Sequence, residues 1–151
     1  MSVDIAARKQ YAELLRQFMS GRMTNDDFVS REPIESDDAA ICAISEQAWF
    51  LYDDIRTHRL SGRWRITGDG RHAVARWILF LKTDLEYTWP PLLRGGPLFQ
   101  YIFQCLITFG AAIGERRRTW ECAGDRDVWP FAARSDYVRA LQHETVFSRA
   151  A

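Results

Sequence analysis

The sequence predicts an all-α protein, a single-domain bundle of about five helices with a buried central helix. Three observations support this fold class. Apolar residues recur at three- and four-residue spacing along most of the chain, which is typical of amphipathic helices. Residues that cap helices precede several of these stretches, and glycine or proline follows them. The 151 residues, 47% of them hydrophobic, are enough for one buried core, so we expect one helical domain over 1–151.

The N-terminal part of the chain predicts one long helix and one short one. The long helix runs from Val3 to Met19 and stops before Gly21, a residue that commonly ends helices. Thr24 is placed to cap a short helix or turn with two acids in its first turn, where they suit the helix dipole. Those acids are Asp26 and Asp27.

The next predicted helix opens at Ser36 and ends before Ser61-Gly62. It follows Pro33, which interrupts the chain. Three- and four-residue spacing gives this helix one buried stripe. The stripe consists of Ile41, Ile44, Ala48, Leu51 and Ile55.

The stretch 63–80 allows two interpretations. Thr67-Gly68-Asp69-Gly70 is typical of a turn, and a helix from about Arg71 to Tyr87 fits the apolar pattern that follows. The alternative is a small β-hairpin that pairs Arg63–Ile66 with part of His72–Phe80. The apolar run is long for a single strand, which favours the helix.

The most apolar stretch, Gly95 to Gly114, has twenty residues and no charge, and its length equals that of a membrane span. Three polar residues recur on one side of it, and arginines flank both ends, so no topological asymmetry is present. We therefore expect a buried central helix over Pro97–Ile113 and no membrane span. A last helix begins at Ser135-Asp136 and reaches about His143.

Composition and motifs favour a protein without enzymatic activity, cofactor or metal site. The three histidines are scattered, without carboxylate or cysteine partners at ligand spacing, and the glycines lack a phosphate-binding pattern. The three cysteines are widely spaced and form no C-x-x-C motif, and the N-terminus lacks an apolar signal segment. These features predict reduced thiols and a cytoplasmic location.

Charge is distributed unevenly along a chain whose formal net charge is zero. Up to Asp54 there are eleven acidic and five basic residues, and beyond it fifteen basic and nine acidic residues. The acids concentrate between Met23 and Asp54, where nine face only Arg31. A patch of one sign steers encounter with a partner of the opposite sign.

This acidic block predicts a surface that binds a basic protein. On the helix that includes residues 39–55, the face opposite the apolar stripe carries acids around Phe50, with Trp49 at its border. An aromatic side chain ringed by acids is typical of a binding hot spot. The alternative is that Phe50 packs beneath another helix of the same chain. The candidate partner-binding residues are Asp26, Asp27, Glu35, Asp38, Glu46, Phe50, Asp53 and Asp54.

A second hypothesis is a nucleic-acid-binding accessory protein. Its candidate anion-binding residues are Arg116, Arg117 and Arg118, with Trp120 available to stack on a base. A neutral chain is unlike the basic composition of nucleic-acid binders, and arginines at a helix C-terminus are favourable without a partner. The sequence therefore favours the protein-binding hypothesis.

The segment from Tyr11 to Thr24, Y-A-E-L-L-R-Q-F-M-S-G-R-M-T, is followed by Asp27-Phe28. It resembles the opening of small helical bacterial immunity proteins of the colicin D immunity type, in which F-x-S-G-[KR]-[IM]-[ST] precedes a short acidic helix containing Phe. The resemblance implies neutralisation of a toxin, often a basic nuclease, by an acidic surface that blocks its active site. From Gly62 onward the sequence departs from that pattern, which leaves open a different bacterial family with a similar N-terminus.

Overall fold

The computed structural model describes residues 3–33, 35–53, 55–66, 68–90, 119–120 and 122–149, with side chains up to His143. Five α-helices are described from end to end, and no strand occurs among these residues. The all-α fold class is therefore confirmed. The predicted central helix over Pro97–Ile113 lies outside the described residues. The helices are α1 Ile5–Met19, α2 Asn25–Val29, α3 Ala39–Ala48, α4 Gly68–Leu81 and α5 Arg134–Arg149.

Short 3-10 turns join some of these helices, and the helix ends follow local capping chemistry. The turns are Trp49–Leu51, Gly62–Trp64 and Arg126–Val128. The Thr24 side chain accepts from the Asp27 N–H, and the Asp27 side chain accepts from the Thr24 N–H, so α2 begins with the predicted cap.

Two clusters of buried side chains form the core. The first joins α1, α2, α3 and α4 around fully buried aromatic rings, with Phe18 and Phe28 stacked at 4.4 Å between ring centroids. The second packs α3 and the end of α4 against the segment before α5, where the Phe80 and Phe131 rings meet edge to face at 5.0 Å. Of the helix pairs, α1 and α4 share the largest interface.

A buried ion pair links the start of α1 to the start of α3. Arg8 Nε donates to Asp38 Oδ2 at 2.7 Å and Arg8 Nη2 donates to Asp38 Oδ1 at 3.0 Å. Arg8 Nη1 also donates to the carbonyl oxygens of Thr83 and Leu85, at 3.2 Å and 2.7 Å. Arg8 therefore ties three segments together and satisfies carbonyl groups just beyond α4.

The structure corrects the predicted bounds of α3. The helix begins after Asp38, whose side chain accepts from the Ala40 N–H, so Asp38 and not Ser36 is the cap. It ends at Ala48, and Ile55, which was placed in the buried stripe, is 85% exposed. After the 3-10 turn Trp49–Leu51 the backbone is extended at Tyr52, with φ −144° and ψ 163°, so the helical stripe does not continue to Ile55.

The β-hairpin alternative for 63–80 is wrong, because α4 occupies residues 68–81. The helix starts three residues earlier than predicted and ends at Leu81 instead of about Tyr87. Beyond Leu81, the Thr83 hydroxyl and N–H both donate to the carbonyl oxygen of Phe80, which ends the helix. The last helix begins at Arg134, as expected, and extends to Arg149.

Within the described part of the chain, no helix combines the length and apolar character needed to cross a bilayer. The uncharged stretch from Gly95 to Gly114, for which a membrane span was weighed, lies outside that part.

Candidate functional site

The segment from Trp49 to Thr57 exposes three large apolar side chains, Trp49, Phe50 and Ile55, together termed the apolar patch. Their exposed fractions are 63%, 83% and 85%. The alternative in which Phe50 packs beneath another helix is therefore wrong. Single exposed apolar side chains are common on protein surfaces, but three large ones within seven residues are typical of an interaction site.

Tyr52 anchors this segment to the core between the exposed residues. Its ring meets the rings of Phe18 and Phe28 edge to face, at 5.7 Å and 6.0 Å between centroids. Because Tyr52 points inward after the 3-10 turn, its neighbours Trp49 and Phe50 are left on the outside.

Asn25 fixes the second half of the segment. Its side chain is 1% exposed, and its Nδ2 donates to the carbonyl oxygens of Asp53 and Arg56, at 2.9 Å and 3.1 Å. Its Oδ1 accepts from the His58 N–H at 2.8 Å, and its own N–H donates to the His58 carbonyl at 3.0 Å. One buried side chain thus fixes the backbone that presents Ile55 and Asp53, so the patch is preorganised.

The imidazole of His58 closes this end of the segment. It stacks on the indole of Trp64 at 4.3 Å between centroids, and its Nδ1 lies 2.7 Å from the Arg56 carbonyl oxygen. That oxygen requires a hydrogen on Nδ1, and the buried Nε2 has no hydrogen-bond partner among the described residues. The stack and the hydrogen bond hold residues 56–58 against the body of the protein.

Three of the predicted acids border this segment. Asp26 and Asp27 are exposed on α2, and the Thr57 hydroxyl donates to the carboxylate of Asp26. Asp53 Oδ1 accepts from the Ile55 N–H at 2.8 Å. Hydrogen bonds from the Thr24 side chain and backbone keep the pKa of the Asp27 carboxyl below its usual range. The contact with Thr57 brings Asp26 of α2 to the segment that carries the apolar patch, with Asp27 next to it in the sequence.

The structure also brings basic residues to this surface. Arg59 Nη1 donates to the carbonyl oxygens of Gly21 and Arg22, at 3.1 Å and 2.6 Å, and its charge contributes to the lowered pKa of Asp27. Arg56 is exposed within the segment. The acidic block of the sequence is therefore interleaved with arginines from the next part of the chain, and its field is weaker than the sequence count predicts.

Asp38 does not belong to this surface, which corrects its assignment as a partner-binding residue. It is 2% exposed and pairs with Arg8. Burial raises its pKa, but the hydrogen bonds from Arg8 and from the N–H groups of Asp4 and Ala40 outweigh burial, so the pKa of Asp38 is lowered overall. Both carboxylate oxygens are used inside the protein.

The remaining predicted residues are dispersed or lie elsewhere. Glu35 is exposed in the connection before α3, and Glu46 is half-buried on α3, where its charge adds to the effect of burial in raising the pKa of Tyr87 to about 12. Trp120 is half-buried and lies 5.0 Å from Trp89 between ring centroids. Asp54 and the three arginines Arg116, Arg117 and Arg118 lie outside the described residues.

Two residues of this surface were not predicted from the sequence. Ile55 was assigned to the core because its spacing continued the helical stripe, and Asn25 was passed over between Thr24 and the acids. The chain contains no other asparagine, but a single polar residue at a helix start is usually solvated, so no sequence signal marks its burial.

No protein-family model, curated protein or solved structure matches this chain. In the described ranges, no three histidine, cysteine, aspartate or glutamate side chains converge in a way that could hold a metal ion. The functional conclusion therefore depends on the surface described above.

Proposed function

We propose that this protein is a non-enzymatic protein-binding module of the toxin-neutralising immunity kind. The observation that supports it is the preorganised apolar patch of Trp49, Phe50 and Ile55, bordered by the acids of α2 and by Asp53. The N-terminal resemblance to immunity proteins of the colicin D type points in the same direction.

The apolar patch supplies affinity in this proposal. Fully burying a side chain such as Phe50 contributes about 1.5–3 kcal/mol by the hydrophobic effect. Because Asn25 and Tyr52 already fix the backbone, little conformational entropy is lost when the patch is covered. Large apolar anchors of this kind carry most of the free energy of protein interfaces, and they act mainly by slowing dissociation.

In this proposal the acids orient the basic partner and raise the rate of encounter with it. A nuclease active site must attract phosphate groups and is therefore basic, so Asp26, Asp27 and Asp53 complement it. The arginines nearby, Arg56 and Arg59, reduce this attraction. We therefore propose steric masking led by the apolar patch, with electrostatic steering as the smaller contribution.

The nucleic-acid hypothesis is not favoured by the described residues. Trp120, the aromatic residue assigned to base stacking, packs on Trp89 as part of the second core cluster. This packing explains the tryptophan without a nucleic acid.

The proposal predicts that a toxin is encoded beside this gene. The test is binding to its purified toxin domain, measured by calorimetry and by the survival of cells that express both proteins. Phe50→Ala should raise Kd at least about 30-fold, the effect of removing a hot-spot residue of roughly 2 kcal/mol. Reversing Asp53 and Asp54 to lysine should slow association a few-fold and reduce its salt dependence.

Matched controls lie away from the patch. Val138→Ala removes an exposed apolar side chain from α5, and Glu86→Lys reverses an exposed acid; both should bind with wild-type affinity. Equal Kd values for Phe50→Ala and Val138→Ala would contradict the proposal, as would the absence of a toxin gene beside this one.

A further inference from the structure

A cavity of about 930 Å³ opens between the start of α1, the end of α4 and α5. Pockets that bind small molecules span roughly 300–1,000 Å³, so this volume admits a ligand with a body of ten or more heavy atoms. None of its lining residues belongs to α2 or to the 49–57 segment, so the cavity is independent of the proposed function.

Helical spacing directs one face of each element into the cavity. Ile5 and Lys9 are four residues apart on α1. On α5 the lining positions Asp136, Arg139 and His143 recur at intervals of three and four, with Ala140 on the same face. Helical surfaces of α1 and α5 therefore form part of the wall, and residues 82–85, beyond α4, form another part.

The interior combines an apolar floor with a mainly basic rim. Leu79 and Ala140 are buried at the floor, and Ile5 and Leu85 extend the apolar surface. The basic groups come from three different elements, so they surround the opening on more than one side. They are Lys9, Lys82, Arg139 and His143.

Several acceptors near the cavity already have a donor, which leaves fewer groups for a cationic ligand. Asp136 forms an ion pair with Arg139 at 3.4 Å, and Arg8 donates hydrogen bonds to the carbonyl oxygens of Thr83 and Leu85. Asp84 is a further acid in the lining. The Arg139 side chain is 66% exposed and that of Asp136 is 31% exposed, and ion pairs near the surface are weak, so Arg139 can exchange this partner for the charge of a ligand.

We propose that this cavity binds a monomeric anionic amphiphile, of the class of medium- and long-chain carboxylates. The hydrocarbon chain lies on the floor of Leu79, Leu85 and Ala140, where its burial drives binding. The carboxylate lies at the rim between Lys9 and Arg139, where charge-assisted hydrogen bonds orient it.

The test uses the full-length protein and dodecanoate below its micelle concentration, with calorimetry and thermal unfolding as the two measurements. Dodecanoate should bind with a stoichiometry of one and raise Tm with ligand concentration, because it binds the folded chain only. The double variant Lys9→Gln, Arg139→Gln should weaken binding about tenfold, while its folded state is checked by circular dichroism. Arg71→Gln, an exposed change at the far end of α4, should leave Kd unchanged.

Ligand variation separates this proposal from its competitors. Acetate, which lacks the chain, and dodecyltrimethylammonium, which reverses the charge, should not bind. Equal binding of the dodecyl cation and dodecanoate would overturn the proposal, as would binding of dodecanoate that the double variant does not weaken. Binding only to phosphatidylglycerol vesicles and not to monomeric dodecanoate would also overturn it, since it would indicate a membrane-surface interaction.

Discussion

Replacement of Asn25 by alanine should both destabilise the protein and loosen the apolar patch. The change removes the side-chain donor to the carbonyl oxygens of Asp53 and Arg56 and the acceptor for the His58 N–H. The His58 N–H is in a buried bond, whereas the two carbonyl oxygens are partly buried and can regain water.

The expected loss follows from these three bonds. A buried donor left without a partner costs about 1–3 kcal/mol, and each partly buried bond contributes about 0.5–1 kcal/mol. Together they predict a fall of about 2–5 kcal/mol in the free energy of unfolding of the Asn25→Ala variant. Small domains have about 5–15 kcal/mol in total, so the variant should remain folded.

Urea unfolding followed by circular dichroism measures this change, and amide hydrogen exchange locates it. Exchange of the His58 N–H should accelerate strongly, while amides in the middle of α1 should change only by the global loss of stability. Gln10→Ala, which shortens an exposed side chain on α1, is the control and should change the free energy of unfolding by less than about 0.5 kcal/mol. A loss below about 1 kcal/mol for Asn25→Ala, or unchanged exchange at His58, would refute the view that Asn25 fixes the segment.

Two further predictions concern the stability of the fold, one at the Arg8–Asp38 pair and one at Gly124. Asp38→Ala leaves the buried charge of Arg8 uncompensated and should cost about 3–5 kcal/mol in urea unfolding. Because the pKa of Asp38 is lowered in the folded protein, its stabilisation is complete above the unfolded pKa of about 3.9 and is lost as the pH falls through the folded value. The wild-type protein should therefore lose more stability in acid than Asp38→Asn does, and parallel pH profiles would contradict the buried pair. Gly124→Ala should cost about 1–3 kcal/mol, since its Cβ would lie 2.4 Å from the carbonyl oxygen of Ala132. Gly62→Asn should be tolerated, because nothing lies within 4 Å of a Cβ at this position and asparagine accepts its φ of +56°. A smaller loss of stability for Gly124→Ala than for Gly62→Asn would disprove the close approach at Gly124.

Local patterns predicted much of the secondary structure. The spacing of Tyr11, Leu15 and Phe18 specified α1, whose buried side they form. Thr24 with Asp27 specified the start of α2. These features depend on neighbours within one or two helical turns, so they are visible along the chain.

The candidate surface could be predicted only in part. Phe50 was placed on the outer face of its helix, and it is exposed, although the helix stops at Ala48. The burial of Asp38 and Ile55 is the reverse of the prediction, because the acid is buried and the aliphatic residue is exposed. The position of Asp38 depends on Arg8, and that of Ile55 depends on Asn25. Each partner lies thirty residues earlier in the chain.

The sequence by itself therefore determined the all-α class, the start of α2 and the presence of an acidic block with an aromatic residue inside it. Tertiary structure alone decided which acids reach solvent, which arginines lie beside them, and where α3 ends. The physical reason is that periodicity and capping are short-range properties, whereas the burial of a charge or the end of a helix depends on a partner supplied from a distant segment. Asn25 shows this most clearly, because one buried amide on α2 fixes the backbone around Asp53, Arg56 and His58.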